Sequence, residues 1–307
     1  MSTPEMRVND SELVEPAAVH AESRPSEWVM MLREAWRMGR TKTGIGIFGA
    51  IVAIAVIGPW VAPYSPTEFV APPFSPPDIP TLLLGSDYLG HDVLTRVLYG
   101  GRTVILLALA ATVIGLGLGV TLGLITGYAR RWIDESIMRL LDVVLAFPQI
   151  VLALLFVSIL GPRLWLIVVI VGVSHAPRIA RVARAATLEV AQRDFVRAAE
   201  ALGIARWKII FNEIMPCITS PLLVEFGLRL TYSIGLIAAL SFLGFGMQPP
   251  AADWGLMINE NRNGIIIQPW PVVVPVLLIG ILTIGTNLIA DGLGRALIGI
   301  ERDTGVG

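Results

Sequence analysis

Hydrophobic and polar residues alternate along this chain in long blocks, on the scale of membrane-spanning helices. A helix needs about 20 apolar residues to cross a bilayer core. Six apolar stretches have about this length, and polar or charged connections separate them. They lie near residues 44–63, 103–127, 138–160, 164–184, 224–245 and 272–293. The pattern therefore predicts an all-α integral membrane protein with six transmembrane helices.

Composition agrees with lipid as the solvent of these stretches. Of the 307 residues, 54% are hydrophobic and 15% are charged, whereas soluble domains are about one quarter charged. The net charge of -1 offers no concentrated basic face, so no nucleic-acid partner is expected. No charged leader with a small-residue cleavage site precedes the first apolar stretch, which is therefore expected to be a retained membrane anchor.

The basic residues predict an orientation. With the N-terminus inside, eighteen Lys and Arg residues fall on the cytoplasmic side and four fall outside. Because cytoplasmic loops of membrane proteins carry an excess of Lys and Arg, both termini are expected in the cytoplasm. This places residues 64–102 and 246–271 outside, and residues 1–43, 176–216 and the tail 294–307 inside.

The segment before the first span has two parts. Residues 1–25 are polar and without periodicity, and are expected to be disordered. Residues 26–41 alternate apolar and basic side chains, which predicts a basic amphipathic helix on the cytoplasmic membrane surface. A soluble lead-in helix is the alternative. The side chains concerned are Trp28, Leu32, Trp36, Arg33, Arg37 and Arg40.

Catalytic and metal-binding motifs are missing from the sequence. A phosphate-binding loop needs a glycine run ending in lysine, and neither Lys42 nor Lys208 follows one. The single cysteine, Cys217, excludes an intrachain disulfide. The histidines lack ligand spacing and are expected to be ordinary polar residues: His20, His91 and His175. The chain is expected to bind neither metal nor cofactor and to catalyse no reaction.

The long charged loop, residues 176–216, carries the most informative motif. Arg197-Ala198-Ala199, followed by Gly203 and Pro216, resembles the EAA motif shared by permeases of ABC importers. Arg197 stands where the motif has Glu, which leaves the matching charge on the partner open. The resemblance implies that this stretch docks onto an ATPase subunit. An ordinary charged loop between two spans is the alternative, although forty residues exceed what a connector needs.

The chemistry of residues 194–216, here called the EAA-like segment, suits that role. Ala198 and Ala199 are small enough for a helix to press into a partner's groove, and Gly203 lets the backbone leave the helix. Charged neighbours are expected to form salt bridges around the contact: Arg193, Asp194, Arg197, Glu200 and Arg206. The residues expected to couple to the ATPase are Arg197, Ala198, Ala199, Glu200, Gly203, Arg206 and Pro216.

Three further segments narrow the resemblance. Residues 84–102, 240–257 and 269–297 are similar to the C-type permease subunit of dipeptide and oligopeptide importers, a group that includes nickel and glutathione permeases. The resemblance implies a type I ABC importer permease fold in the cytoplasmic (inner) membrane. It covers about residues 84–297 and says nothing about the first 43 residues.

The resemblance also implies partners. A homologous second permease would form the pathway together with this chain, two ATP-binding subunits would use ATP and Mg, and an extracytoplasmic solute-binding protein would deliver a peptide. The same machine carrying nickel chelates, glutathione or peptide antibiotics is the alternative. A secondary transporter or channel would need charged relay residues deep in the bilayer, and a membrane enzyme would need a convergent nucleophile or metal set; the sequence indicates neither.

The two outer loops contain candidate gate or docking residues. Asp92 precedes an apolar face at helical spacing, which predicts either a short helix on the outer membrane surface or a plain amphipathic connector. Trp254 suits a gate or docking surface, and anchoring at the membrane interface explains it equally well. The candidates for a gate or for contact with the binding protein are Asp87, Asp92, Gln248, Pro249, Asp253 and Trp254.

Within the spans, a few residues predict a local feature: a close helix contact, a kink or an ion pair. Glycines at every fourth position predict a close helix–helix contact: Gly115, Gly119, Gly123 and Gly127. Pro148 is expected to kink the third span, because proline removes a backbone donor. Asp142, Arg229 and Asp291 are ionisable residues near predicted span ends, where pairing with a neighbour is expected more than a direct role with substrate.

Overall fold

The computed structural model describes residues 27–303, so the predictions for residues 1–25 and for the end of the tail lie outside the described residues. The helices are α1 Glu27–Arg37, α2 Gly39–Val61, α3 Val93–Tyr128, α4 Arg131–Leu145, α5 Gln149–Leu160, α6 Leu164–Ala191, α7 Asp194–Ala201, α8 Arg206–Lys208, α9 Met215–Cys217, α10 Thr219–Phe242, α11 Trp254–Asn261 and α12 Trp270–Asp303. A π-helical turn, Ile209–Ile214, joins α8 to α9, and a 3-10 turn, Arg262–Gly264, follows α11. Residues 27–303 contain isolated bridges but no strand, which confirms the all-α prediction.

The apolar helices match the predicted spans, with one difference. α2, α3, α6, α10 and α12 are each long and apolar enough to cross a membrane. The third predicted span consists of α4 and α5, which pass the same test together but are bent by 81°. Pro148 stands in extended conformation directly before α5, so the expected kink is present and is much sharper than that of a bent single helix. The described chain therefore has five spans, or six if the bent pair counts as one.

The central contact of the bundle is the packing of α3 against α6. A Cβ atom added at Gly115 would lie 2.8 Å from the carbonyl oxygen of Gly172, and one at Gly119 would lie 2.5 Å from the Cβ of Ile179. Such separations leave no room for any larger side chain. The glycine face predicted on the second span is confirmed as a packing surface.

The long helix α3 begins earlier than the sequence suggested. The carboxylate of Asp92 accepts hydrogen bonds from the backbone N–H of Thr95 at 2.8 Å and from its hydroxyl at 2.6 Å, so Asp92 caps a helix that runs unbroken to Tyr128. The prediction of a separate surface helix or connector after Asp92 is wrong, because that apolar face forms the first turns of α3. The connection between α2 and α3 accordingly covers residues 62–92 rather than 64–102.

Among the described residues, buried apolar side chains form one large core, a second core at one end of the bundle, and a small cluster between α1, α10 and α12. The large core joins α2, α3, α5, α6, α10, α11 and α12. The second core joins the adjacent ends of α3, α6 and α10 to the EAA-like segment. Residues 62–92 and 243–269 lie together at the opposite end, here called the loop end. The fold thus places the two sets of predicted site residues at opposite ends of the helices.

Candidate coupling and gating sites

Helix α7 of the EAA-like segment has an inner and an outer face. Val196 is 0% exposed and Ala199 is 6% exposed, and both belong to the second core. Arg197 and Ala198, between them in sequence, are exposed. The expectation that both alanines face a partner is therefore wrong for Ala199, because the helical period turns it toward the chain's own core, while Ala198 faces outward.

Gly203 ends α7 in the way the sequence predicted. Its φ of 73° lies in the left-handed region, and a Cβ atom built there would meet nothing within 4 Å. The Gly203 N–H donates to the carbonyl of Glu200, and the Ile204 N–H donates to the carbonyl of Ala199. This pair of bonds is the Schellman arrangement, in which glycine is favoured because it has no Cβ to clash with the backbone.

The rest of the EAA-like segment forms a π-helical connection to α10. Ile209 and Ile214, which bound the π turn, are both 0% exposed and insert into the second core. Pro216 follows in α9 and is exposed. π turns are rare and occur often at functional sites. Here the turn links α7 to a membrane-spanning helix through two buried anchors.

The charges of the EAA-like segment are only partly used within the chain. The Tyr128 hydroxyl at the end of α3 donates a hydrogen bond to the carboxylate of Glu200. Arg193 pairs with Glu189 at 3.1 Å. Three others are exposed and belong to none of the ion pairs formed among the described residues: Asp194, Arg197 and Arg206. The salt bridges expected around the contact with a partner therefore stay a prediction, for which Asp194, Arg197 and Arg206 are exposed.

Two ion pairs join α4 to α6 beside this segment. The Nε and Nη2 atoms of Arg184 donate to the two carboxylate oxygens of Asp134, at 2.5 and 2.6 Å. Arg181 pairs with the carboxylate of Asp142 at 2.5 Å. The expectation that Asp142 pairs with a neighbour is confirmed. The role of Asp134 was missed, because no sequence signal links residues fifty positions apart.

An apolar cavity of about 710 Å³ adjoins the EAA-like segment. It lies between α3 and α10, and the π turn closes one side. Its lining comes from Val113 to Ile125 of α3, Trp207 to Met215, and Thr219 to Phe226 of α10. The cavity is thus bounded by the EAA-like segment as well as by two membrane-spanning helices.

A buried polar network joins the middle of the spans. The Nε2 atom of His175 on α6 lies 3.1 Å from the Ser233 hydroxyl on α10, and that hydroxyl lies 3.1 Å from the hydroxyl of Thr112 on α3. The Nε2 atom of Gln149 at the start of α5 donates to the carbonyl of Ser174 at 3.1 Å. His175 is thus an ordinary satisfied polar residue, as predicted, and its serine and threonine partners gave no signal in the sequence.

The ionisable residues predicted within spans differ in their surroundings. Arg229 is 6% exposed, and its Nε donates to Glu225, one turn earlier on α10, at 3.0 Å. Its Nη1 is buried and has no hydrogen-bond partner among residues 27–303. Asp291 is exposed on α12. The pairing expected near Arg229 is confirmed by Glu225.

At the loop end, a buried arginine contacts residues of both connecting segments, 62–92 and 243–269. Arg96, 1% exposed, contacts the carboxylate of Asp87 through Nη1. Its Nη2 donates to Glu260 at 3.0 Å and to the carbonyl of Ala251 at 3.1 Å. Asp87 is 0% exposed and also accepts the backbone N–H of His91 at 2.8 Å. Asp87 therefore serves as an internal partner within the loop end.

Asp253 and Trp254 are also buried. Asp253 accepts the N–H of Leu256 at 3.0 Å as the cap of α11 and accepts the hydroxyl hydrogen bond of Ser241. Trp254 is 0% exposed, and its indole N–H donates to the carbonyl of Val97 at 2.9 Å. Its ring occupies the space that a Cβ at Gly100 would need. Interfacial anchoring is therefore wrong for Trp254.

Burial changes the acidity of three groups at the loop end. Burial raises the pKa of the Asp253 carboxyl, and the hydrogen bond from the Ser241 hydroxyl partly offsets this rise. Burial also raises the pKa of Glu260, and the positive charge of Arg96 opposes this shift. Burial and the neighbouring Glu260 raise the pKa of Tyr88 to about 12. The Tyr88 hydroxyl donates its hydrogen bond to Glu260 at 3.0 Å.

Gln248 and Pro249 are the exposed members of the predicted outer set. The side-chain amide of Gln248 donates to the carbonyls of Gly244 and Gly246, at 3.1 and 3.2 Å. Among residues 27–303, no group of three His, Cys, Asp or Glu side chains could hold a metal ion. The outer candidates thus divide into a buried set that holds the loops together and an exposed pair on the surface.

Comparison with known proteins agrees with this architecture. The chain is 40% identical over 214 residues to the glutathione transport system permease protein GsiD of Pectobacterium atrosepticum, covering 70% of this chain and 71% of that one. It is 36% identical to the di/tripeptide transport system permease protein DppC of Pseudomonas aeruginosa, covering 87% of this chain and 91% of that one.

A solved structure shows the same fold at lower similarity. The structure described as inward facing conformations of the MetNI methionine ABC transporter superposes with a TM-score of 0.50 at 18% identity, covering 64% of this chain and 96% of that one. Residues 119–299 match the family described as binding-protein-dependent transport system inner membrane component. The chain therefore belongs to this family: it is a multi-pass permease subunit of an ABC importer, and ATP hydrolysis is not its task.

Proposed function

We propose that this chain forms half of the translocation pathway for di- or oligopeptides across the cytoplasmic membrane. A homologous second permease completes the pathway, two ATP-binding subunits that use ATP and Mg dock beneath it, and an extracytoplasmic solute-binding protein delivers cargo. Both termini and the EAA-like segment face the cytoplasm in this proposal. The excess of basic residues on that side supports the orientation, and the permeases named for di- and tripeptides support the cargo.

The outer face of α7 is the observation that carries the docking proposal. Ala198 and Gly203 are exposed there. The neighbouring side chains of Arg197 and Arg206 are exposed and make no ion pair within the described residues. Small residues permit close approach and unpaired arginines offer charge to an acidic partner surface. These features suit a contact with another protein better than a solvent-facing loop.

The packing behind α7 suggests how a movement would be transmitted. Val196 and Ala199 on its inner face pack in the same core as Ile209 and Ile214 of the π turn, next to α3, α6 and α10. Packed cores respond to displacement as rigid bodies rather than as elastic material. When ATP draws the ATPase subunits together, the EAA-like segment, α3, α6 and α10 move as one unit.

At the opposite end, Gln248 and Pro249 are proposed as the surface that meets the binding protein or forms part of the gate. Asp87, Asp92, Asp253 and Trp254 take part indirectly, because they are buried and hold the loop end in shape. Glutathione is the second candidate cargo, favoured by the 40% identity to a permease named for it.

The docking proposal is tested with Ala198→Trp, which adds bulk to the outer face without entering the core. We expect loss of copurification with the ATP-binding subunits and loss of peptide uptake, with normal amounts of permease in the membrane. Ala185→Trp, at an exposed position of α6, is the matched control. Normal uptake and normal copurification by the Ala198 variant would refute the assignment.

Uptake of labelled dipeptide, with dipeptide or glutathione as competitor, separates the two cargoes.

A further inference from the structure

Helix α1 is docked on the bundle through one narrow face. Met31 is 0% exposed and Ala35 is 1% exposed, and both pack with Ala296 of α12. Leu223 and Val224 of α10 adjoin the same cluster. α1 is therefore part of the folded unit and lies across the ends of two spans.

A second face of α1 is apolar and uncovered by the described residues. Trp28, Leu32 and Trp36 follow one another at four-residue intervals, so they form a stripe beside the packed face. Their exposures are 40%, 41% and 59%. Exposing two tryptophans and a leucine to water in a single stripe is unfavourable. The stripe is therefore expected to be covered by lipid or by another protein.

A third face of α1 is basic. At about 100° per residue, Arg33 and Arg37 fall next to the apolar stripe, on the side away from the packed face. Among the described residues, the one ion pair of Arg37 is an exposed contact with Glu34 at 3.7 Å. Residues 27–43 carry four basic and two acidic residues in all. The order of faces around the helix is thus packed, apolar, basic.

The position of α1 relative to the first span identifies the occupant. Only Met38, in extended conformation, separates α1 from α2, which begins at Gly39 and is long and apolar enough to cross the membrane. α1 is therefore held at the level where that span leaves the hydrocarbon. Tryptophan is enriched at this level, and arginine there meets lipid phosphates.

We propose that α1 is an interfacial anchor that binds anionic lipid head groups at the membrane boundary. Trp28, Leu32 and Trp36 enter the boundary between head groups and acyl chains, and Arg33 and Arg37 hold the phosphates. Because the packed face joins α10 and α12, the anchor braces the ends of both spans against the lipid surface. The inference does not depend on which cargo the importer carries.

The depth of α1 is measured with spin labels on the full chain in nanodiscs of phosphatidylcholine and phosphatidylglycerol, in a Cys217→Ser background. A label at Leu32→Cys is expected to collide mainly with oxygen, which concentrates in lipid. A label at Leu202→Cys, where the native side chain is 80% exposed in the EAA-like segment, is the control and should collide mainly with an aqueous nickel chelate. Equal exposure of both labels to the nickel chelate would overturn the proposal.

Lipid preference is measured by native mass spectrometry of the purified full chain with the same two lipids. Arg33→Gln/Arg37→Gln is expected to lower the preference for phosphatidylglycerol on the order of tenfold, since each basic residue near the surface contributes to this attraction. Arg163→Gln/Arg262→Gln makes the same charge change at exposed positions of the opposite end and should leave the preference unchanged.

The same labels identify a competing occupant. If the Leu32 label leaves water only after the ATP-binding subunits or the second permease are added, α1 is a protein-docking surface and the lipid proposal fails. An unchanged lipid preference in the Arg33/Arg37 variant would also contradict it.

Discussion

One arginine at the loop end and two in the EAA-like segment have opposite surroundings. At the loop end, Arg96 is 1% exposed and is held by two carboxylates and a carbonyl. In the EAA-like segment, Arg197 and Arg206 are exposed and make no ion pair within the described residues. A buried charge has to be compensated within its own chain, because desolvation is costly. An exposed, unpaired charge is available to another protein. The charge of Arg96 is thus compensated within the chain, whereas Arg197 and Arg206 can offer their charge to another protein.

The comparison is tested most severely by Arg96→Met. Asp87 and Glu260 would then remain at the loop end without their cation, and breaking a buried pair in this way costs about 3–5 kcal/mol. Denaturant unfolding in detergent micelles measures the loss, with Arg262→Met, an exposed position at the same end, as control. Adding Asp87→Asn and Glu260→Gln should recover most of the stability. Equal stability of the Arg96 and Arg262 variants would show that the loop end is not held by this cluster.

A smaller effect is expected from Gly203, and it should appear in transport more than in folding. Gly203→Val forces a branched side chain into the left-handed region, at a cost of about 1–2 kcal/mol, although the surrounding space is open. We expect α7 to lose its end and uptake to fall strongly. Gly203→Asn tolerates the same backbone and should retain most uptake, so identical uptake by the two variants would contradict a backbone role.

Tyr128→Phe removes the hydrogen bond that joins Glu200, on the exposed side of the EAA-like segment, to α3. Loss of the bond to Glu200 is expected to cost about 1 kcal/mol. Hydrogen exchange over residues 194–201 should become faster by roughly fivefold, while exchange in α11 stays unchanged. Unaltered exchange over α7 would mean that the inner face alone positions this helix.

The smallest effect concerns pH at the loop end. Folding raises the pKa of Tyr88 from its ordinary 10.0 to about 12, so the folded chain keeps a proton that the unfolded chain loses in this window. The contribution of Tyr88 to stability is therefore complete below pH 10 and is lost as the pH rises toward 12. The stability difference between the native chain and Tyr88→Phe should shrink over that range. A difference that is constant with pH would rule out the Tyr88–Glu260 contact.

Local patterns predicted a large part of the fold and little of the loop end. The bend at Pro148, the cap at Asp92 and the left-handed turn at Gly203 each follow from the backbone properties of one residue. The glycine face of α3 follows from the helical period. The helix that begins at Val93 was expected to be separate from the second span. Its unbroken continuation through Arg96 into that span depends on Asp87 and Glu260, which compensate this buried charge from 9 and 164 positions away.

The candidate sites show the same division. The exposed face of the EAA-like segment was recognised from a short motif, since docking surfaces are read along one helix. The inward turn of Ala199 needed the second core to be seen. The burial of Trp254 depends on the carbonyl of Val97, 157 positions away, and no local period carries such a pairing.

The sequence by itself determined the membrane environment, the approximate number of spans, the break in the third, and the segment proposed to meet an ATPase, because hydrophobic length and single-residue backbone preferences are local properties. Only the tertiary structure decided which charges are paired and which are free. Arg96 and Arg197 are the same residue type, and each is the fourth residue of its helix. Their burial differs because the fold brings Glu260, 164 positions away, to Arg96, while no acidic residue of the described chain forms an ion pair with Arg197.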